Sequence, residues 1–134
     1  MKENALNYYK SGLSCSESVV NAAIDAGLCD KNLLSVATAF SGGMSSGCLC
    51  GAVAGAQMVL GSMFGKNNTL GNDETARAKA KEFIEEFKKT HKATCCKVLT
   101  AGLEFGSPER KQNCAKLVEE CAEILEKLTK EKVC

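Results

Sequence analysis

Apolar residues recur at helical spacing along most of the chain, and no segment alternates apolar and polar residues for long. Spacings of three and four residues are typical of helices that bury one face. Two helix starts carry capping signals, the capping-box pair Ser14 and Glu17 and the dipeptide Ser107-Pro108. The pattern therefore predicts an all-α fold, a single-domain bundle of about six helices over residues 1–134. Predicted helical segments lie at about 4–10, 14–26, 31–40, 47–64, 72–90 and 94–99, and from 107 onward.

The fourth predicted helix is the most apolar part of the chain. No charged residue lies between Lys31 and Lys66. A helix that is apolar on all sides is normally buried within a protein. A membrane span would need about 20 predominantly apolar residues, and the glycine-rich segment 41–47 and Gln57 interrupt this run. We therefore expect a buried central helix and no membrane span.

Two glycines lie on one face of this central helix. Gly51 and Gly55 are four residues apart, and a glycine inside a helix costs up to about 1 kcal/mol relative to alanine. Close approach of another element would compensate for that cost. We therefore predict that Gly51 and Gly55 are close-packing positions, and that they bring a second cysteine-bearing element near Cys50.

Composition and charge exclude several functional classes. Apolar residues make up 45% of the chain and charged residues 25%, and the net charge is +1. This balance is typical of a globular protein, and it offers no basic surface for nucleic acid or an anionic membrane. The polar N-terminal residues do not form a secretory signal. We expect a cytoplasmic protein whose thiols stay reduced unless they are catalytic or bind metal.

Nine cysteines, against a single histidine, suggest sulfur chemistry. Three groups of them fall at predicted helix starts, whose unpaired N–H groups and partial positive charge favour thiolates. With Ser14, Ser46 and Thr94 as N-caps, the first-turn cysteines are Cys15 at N1, Cys48 and Cys50 at N2 and N4, and Cys95 and Cys96 at N1 and N2.

The other cysteines are predicted to have no chemical role of their own. Cys114 and Cys121 lie on the apolar stripe of the last helix and are interpreted as packing residues. Cys29 near a helix end and the terminal Cys134 carry no clear signal. The single histidine, His91, follows a lysine-rich stretch and is expected to be solvated.

Four cysteines and their neighbours resemble the motifs of a known family. The chain resembles, over nearly its whole length, the four-cysteine C_GCAxxG_C_C family, which is characterised by a C-G-A-x-x-G motif and to which redox activity is ascribed. The matching segments are Ser14–Val19, Phe40–Gly43, Cys50–Gly55, Cys96–Leu99 and Cys114–Val118. Any one of these segments is a weak signal, whereas all of them in this order are fairly specific.

The resemblance implies that Cys15, Cys50, Cys96 and Cys114 act together. It promotes Cys114 from a packing residue to a member of the site. It leaves the remaining cysteines outside the shared set, although two of them are adjacent to motif cysteines and could resolve a sulfenic acid or add a ligand. These auxiliary candidates are Cys48 and Cys95.

Three functions remain open from the sequence. The first is thiol redox chemistry, in which Cys50 or Cys96 is a low-pKa thiolate and another motif cysteine completes a disulfide. The second is a zinc or iron–sulfur site held by the four motif cysteines. The third is a helical interaction module whose cysteines only pack. The cofactor (none, zinc or an iron–sulfur cluster), the redox partner or small-molecule substrate, and a homo-oligomeric state are left open.

Overall fold

The computed structural model describes residues 1–130, and over that range the chain forms a bundle of seven α-helices. The helices are α1 (Lys2–Lys10), α2 (Cys15–Asp25), α3 (Leu33–Thr38), α4 (Gly51–Phe64), α5 (Glu74–Lys88), α6 (Cys96–Leu99) and α7 (Pro108–Thr129). The predicted all-α fold class is confirmed. None of the helices within these residues is long and apolar enough to cross a lipid bilayer. The prediction for Cys134 lies outside the described residues.

Local capping explains where two of the helices begin. The Ser14 hydroxyl accepts a hydrogen bond from the Glu17 amide, and the Glu17 carboxylate accepts one from the Ser14 amide. The predicted capping box is therefore confirmed. The Ser107 hydroxyl accepts the amide of Arg110 and Pro108 occupies the first helical position, which confirms the start of α7. Both devices satisfy amide groups that have no partner inside the helix.

Helix α4 is the buried centre of the bundle, as its sequence predicts. It packs against α2, α5 and α7 and also touches α3. Eight of its residues are buried: Gly51, Ala52, Val53, Ala54, Gly55, Ala56, Val59 and Leu60. The other helices contribute apolar side chains to the same core, including Phe83 and Phe87 of α5. Cys121 of α7 is fully buried in this core, which agrees with a packing role.

The predicted start of the fourth helix at Gly47 is wrong, because α4 begins at Gly51. Met44 and Ser45 have left-handed backbone angles, with φ of 60° and 54°. Residues in this region cannot continue a right-handed helix. Ser46 is consequently not the N-cap of α4.

The environment of His91 also differs from the prediction. Its ring stacks on Phe87 with the ring centres 4.5 Å apart, and its Nε2 lies 2.5 Å from a carboxylate oxygen of Glu120. His91 is therefore a half-buried residue that ties α5 to α7 rather than a solvated one.

Candidate active site

The four motif cysteines line one cavity. It has a volume of about 940 Å³ and lies between the end of α1, the starts of α2, α4, α6 and α7, and the glycine-rich segment 41–47. Its cysteines are Cys15, Cys50, Cys96 and Cys114. All eight cysteines within residues 1–130 are unpaired thiols. The fold thus brings four thiols that are distant in sequence to one open space.

Gly51 and Gly55 set the distance between α4 and α2. A Cβ on Gly51 would lie 3.3 Å from the Cβ of Cys15, and a Cβ on Gly55 would lie 2.8 Å from the backbone oxygen of Ser16. A side chain at Gly55 would therefore collide with the first turn of α2, and one at Gly51 would crowd it. Their absence allows Cys15 to sit beside the start of α4, where Cys50 is the N-cap.

A left-handed backbone segment brings Cys96 to the same place. Gly43 has φ of +64° and is buried, and a Cβ there would lie 2.7 Å from the Cβ of Cys96. Leu49 pairs with Cys95 as a short antiparallel bridge, and the Cys50 amide donates to the carbonyl of Thr94 at 2.7 Å. The segment before α4 and the segment before α6 are thereby held side by side.

The surroundings of Cys114 lower the pKa of its thiol. A hydrogen bond from the Cys15 thiol, together with the positive charge of Arg110 and the Tyr9 hydroxyl, lowers its pKa to about 6 even though partial burial opposes the shift. Cys114 is buried, as a packing residue would be, and it also lines the cavity, as expected for the site role that the family resemblance implies. These neighbours favour the thiolate form of Cys114 over that of an ordinary cysteine.

Cys15 behaves in the opposite way. The pKa of its thiol is raised well above the usual value, first by its hydrogen bond to Cys114 and then by burial and by the other nearby cysteines. The pKa values of Cys15 and Cys114 therefore shift in opposite directions, because each thiol responds to the charge of the other. The pKa of Tyr9 is also raised, mainly by burial and by the charge of this pair, so its hydroxyl remains a donor.

Cys50 is not the activated thiolate that its position at a helix start predicts. Burial raises its pKa, and the backbone N–H groups of Val53 and Ala52 only partly offset that increase. Its side chain is 3% exposed, and loss of hydration penalises the charged form of a thiol. Here burial outweighs the helix terminus.

Cys96 lies at the first position of α6, with Cys95 rather than Thr94 as the N-cap. Helix α6 therefore begins one residue later than predicted. Arg110 Nη2 lies 3.8 Å from the sulfur of Cys96. Arg110 therefore contacts two of the four motif cysteines, Cys96 and Cys114.

The two auxiliary candidates lie outside the cavity. Cys48 is exposed and lies before α4 rather than at its second position, and Cys95 is half-buried and donates through its sulfur to the carbonyl of Gly47 at 3.4 Å. Neither side chain lines the space that the motif cysteines share. Cys29 does not line it either.

The arrangement does not fit the proposed metal site. Among residues 1–130, no group of three or more cysteine, histidine or acidic side chains is placed so that it could hold a metal ion. Cys15, Cys50, Cys96 and Cys114 border the same cavity without forming a ligand shell, so we derive no chemistry through zinc or an iron–sulfur cluster.

Sequence reasoning missed two residues of the site, Tyr9 and Arg110. Arg110 precedes Cys114 by four residues on α7, a spacing that places both on one helix face, so this partner could have been found. Tyr9 lies at the site because α1 packs against α7. No sequence pattern near Tyr9 predicts that contact.

Replacing Arg110 by methionine is expected to raise the pKa of Cys114. The change removes a positive charge while keeping a long side chain, and loss of a nearby opposite charge shifts a pKa by about one unit or more. The pH dependence of Cys114 alkylation, followed by mass spectrometry, measures this shift. Lys116→Gln, which removes a charge outside the cavity on the same helix, should leave the midpoint unchanged. An unchanged midpoint in the Arg110 variant would contradict the role given to Arg110.

The comparisons with known proteins agree with the sequence resemblance. The sequence model of the family described as "Putative redox-active protein (C_GCAxxG_C_C)" matches residues 13–128. No curated protein and no solved structure shows significant similarity to the chain. The family match covers far more than half of the chain and includes all four cysteines that line the cavity. The protein therefore belongs to the C_GCAxxG_C_C family.

Proposed function

We propose that this protein reduces disulfides, with Cys114 as the nucleophilic thiolate and Cys15 as the resolving thiol. The observation that carries the proposal is the cavity that Cys15 and Cys114 line together, and the lowered pKa of Cys114 supports it. Thiolates rather than thiols attack disulfide sulfur. Two cysteines that line one cavity supply both the nucleophile and the group that resolves the intermediate.

The reaction proceeds in two exchanges. The Cys114 thiolate attacks one sulfur of a disulfide R–S–S–R′. A disulfide bond forms between the sulfur of Cys114 and the RS group, the S–S bond of the substrate breaks, and R′S⁻ leaves. Cys15 then loses its proton to the leaving thiolate and attacks the sulfur of Cys114, which releases RS⁻. With one further proton from solvent the products are two thiols and a Cys15–Cys114 disulfide. The two electrons pass from the protein to the substrate.

Cys50 and Cys96 belong to the proposed site as further thiols. Both line the cavity, and both lie close enough to influence the charge of Cys15. Cys96 also contacts Arg110. We assign them the role of exchanging with the Cys15–Cys114 disulfide, by the same thiolate attack, once it has formed.

The structure supports this function over a purely structural role for the cysteines. Cys121 shows what a packing cysteine looks like in this fold, since it is completely enclosed by apolar core residues. Cys96 and Cys114 stand outside that core cluster and border the cavity. An interaction module would not require a thiolate in an open space.

Mapping the disulfide tests the proposal directly. Reduced protein treated with one equivalent of a neutral small disulfide should lose two hydrogens and yield a linked tryptic pair, residues 11–31 with 112–116. Because the first peptide also holds Cys29, the Cys29→Ser variant is the control and should give the same link through Cys15. A first-formed bond that involves neither Cys15 nor Cys114, or stoichiometric zinc or iron in protein purified without oxygen, would contradict the proposal.

A further inference from the structure

The cavity concentrates positive charge. Four basic side chains line it and no aspartate or glutamate does: Lys10, Lys97, Arg110 and Lys111. The whole chain has a net charge of only +1. The lining of the cavity therefore carries an excess of positive charge that the chain as a whole does not have.

These basic side chains are not neutralised by the fold. The ion pairs of the described residues lie elsewhere, and none joins an acidic group to Lys10, Lys97, Arg110 or Lys111. Arg110 faces the Phe105 ring, with 5.1 Å from its central carbon to the ring centre, and contacts sulfur. After Arg110 balances the Cys114 thiolate, the charges of the three lysines remain.

Three of the four motif cysteines are buried, and Cys15 is half-buried. Cys50 is 3% exposed, Cys114 7% and Cys96 8%. A disulfide on a protein surface could not reach them without local unfolding, whereas a cavity of about 940 Å³ admits a small molecule. Pockets of roughly 300–1,000 Å³ are typical of sites for small ligands. The accessible substrate is therefore small.

We propose that the substrate is a low-molecular-weight disulfide that carries carboxylate groups. This inference rests on the proposed disulfide reduction and adds the substrate class. The lysines hold the carboxylates, which steers the substrate into the cavity and places its S–S bond against Cys114. A cationic disulfide would be repelled by the same charges.

Three disulfides with closely similar aliphatic skeletons test the charge preference. They are 3,3′-dithiodipropionate (dianionic), bis(2-hydroxyethyl) disulfide (neutral) and cystamine (dicationic). Each rate with the protein is divided by its rate with 2-mercaptoethanol at the same pH, which removes intrinsic reactivity. At low ionic strength we expect the dianion to exceed the dication by at least about tenfold, and the difference to shrink as salt is added. Equal normalised rates would overturn the inference while leaving disulfide reduction intact.

Removing single lysines locates the effect. The attraction between one lysine and one carboxylate about 8 Å apart in water raises a rate about twofold. For a substrate with two carboxylates the effect of one lysine is therefore about fourfold. Lys97→Gln and Lys111→Gln should each lower the rate with dithiodipropionate, relative to the rate of the same variant with the neutral disulfide, by about that factor. Lys116→Gln removes the same charge outside the cavity and should change neither rate. An equal loss in the Lys116 variant would overturn the assignment to the cavity.

A second readout keeps this inference separate from the proposed function. Iodoacetate is anionic and iodoacetamide is neutral, and both alkylate thiolates without any redox step. The rate of Cys114 alkylation by iodoacetate divided by the rate with iodoacetamide should be at least about threefold higher than the same ratio for 2-mercaptoethanol. This ratio should fall in the lysine variants. A raised ratio in a protein that does not reduce the neutral disulfide would contradict the proposed disulfide reduction and would still support the anion preference of the cavity. A ratio equal to that of the small thiol would refute the anion preference.

Discussion

The Cys114→Ser variant is expected to lose the fast alkylation of the protein at pH 6 and its disulfide reduction. At that pH a thiol with a pKa of about 6 is roughly half ionised, whereas an ordinary thiol is ionised to about 0.3%. A low-pKa thiolate is intrinsically less nucleophilic, which reduces this advantage to about tenfold. The alkylation rate at pH 6 should therefore fall about tenfold in the variant, and the measurement is the rate of iodoacetamide incorporation against pH.

Two matched variants distinguish the role of Cys114 from a general loss of thiols. Cys48→Ser removes an exposed cysteine outside the cavity and should leave the fast reaction unchanged. Cys15→Ser keeps a hydroxyl donor beside Cys114, so the fast reaction should persist while the mixed disulfide with substrate accumulates. A fast reaction that survives in Cys114→Ser and disappears in Cys15→Ser would show that the thiolate is on Cys15.

The Gly55→Ala variant is expected to be less stable than the wild type, although alanine favours helices over glycine. The added Cβ would lie 2.8 Å from the Ser16 backbone oxygen and 3.2 Å from its Cα. Backbone atoms cannot rotate away as a flexible side chain can, so α2 must shift. Overpacking of this kind costs about 1–3 kcal/mol, to be measured as the free energy of unfolding in urea.

Gly61 in the same helix is the control for Gly55. A Cβ on Gly61 would meet nothing within 4 Å, and the residue is exposed. Gly61→Ala should therefore stabilise the protein by up to about 1 kcal/mol through helix propensity alone. The Gly55 variant should also displace Cys15 and so raise the pH midpoint of Cys114 alkylation. Equal stabilisation by both substitutions would show that α2 does not rest on this face of α4.

The contrast between Cys50 and Cys114 shows which physical effect controls reactivity in this site. Cys50 occupies a helix N-cap, yet burial raises its pKa. Cys114 lies well inside α7, and neighbouring donors with one positive charge lower its pKa. The field of a helix terminus acts over about one turn, and here it is too weak to offset dehydration. Specific partners at the cavity wall decide which sulfur ionises.

The elements of the fold that follow from local rules could be predicted from the sequence. The caps of α2 and α7 depend on residues three positions apart, and the burial of α4 depends on an uncharged run. The start of α4 could not be placed, because a left-handed turn at Met44 and Ser45 involves two residues that rarely adopt it. Only the surrounding packing selects that conformation.

The sequence by itself determined the helical fold class, the central position of α4 and, through the family resemblance, the four cysteines of the site. These features depend on periodicity, capping and motif order, which can be recognised in the linear sequence. Only the tertiary structure shows that these four cysteines line one cavity and that the pKa of Cys114 is lowered while that of Cys15 is raised. A pKa depends on charge, hydrogen bonds and hydration within a few ångströms, and for Cys114 the partners come from α1 and α2 as well as from α7.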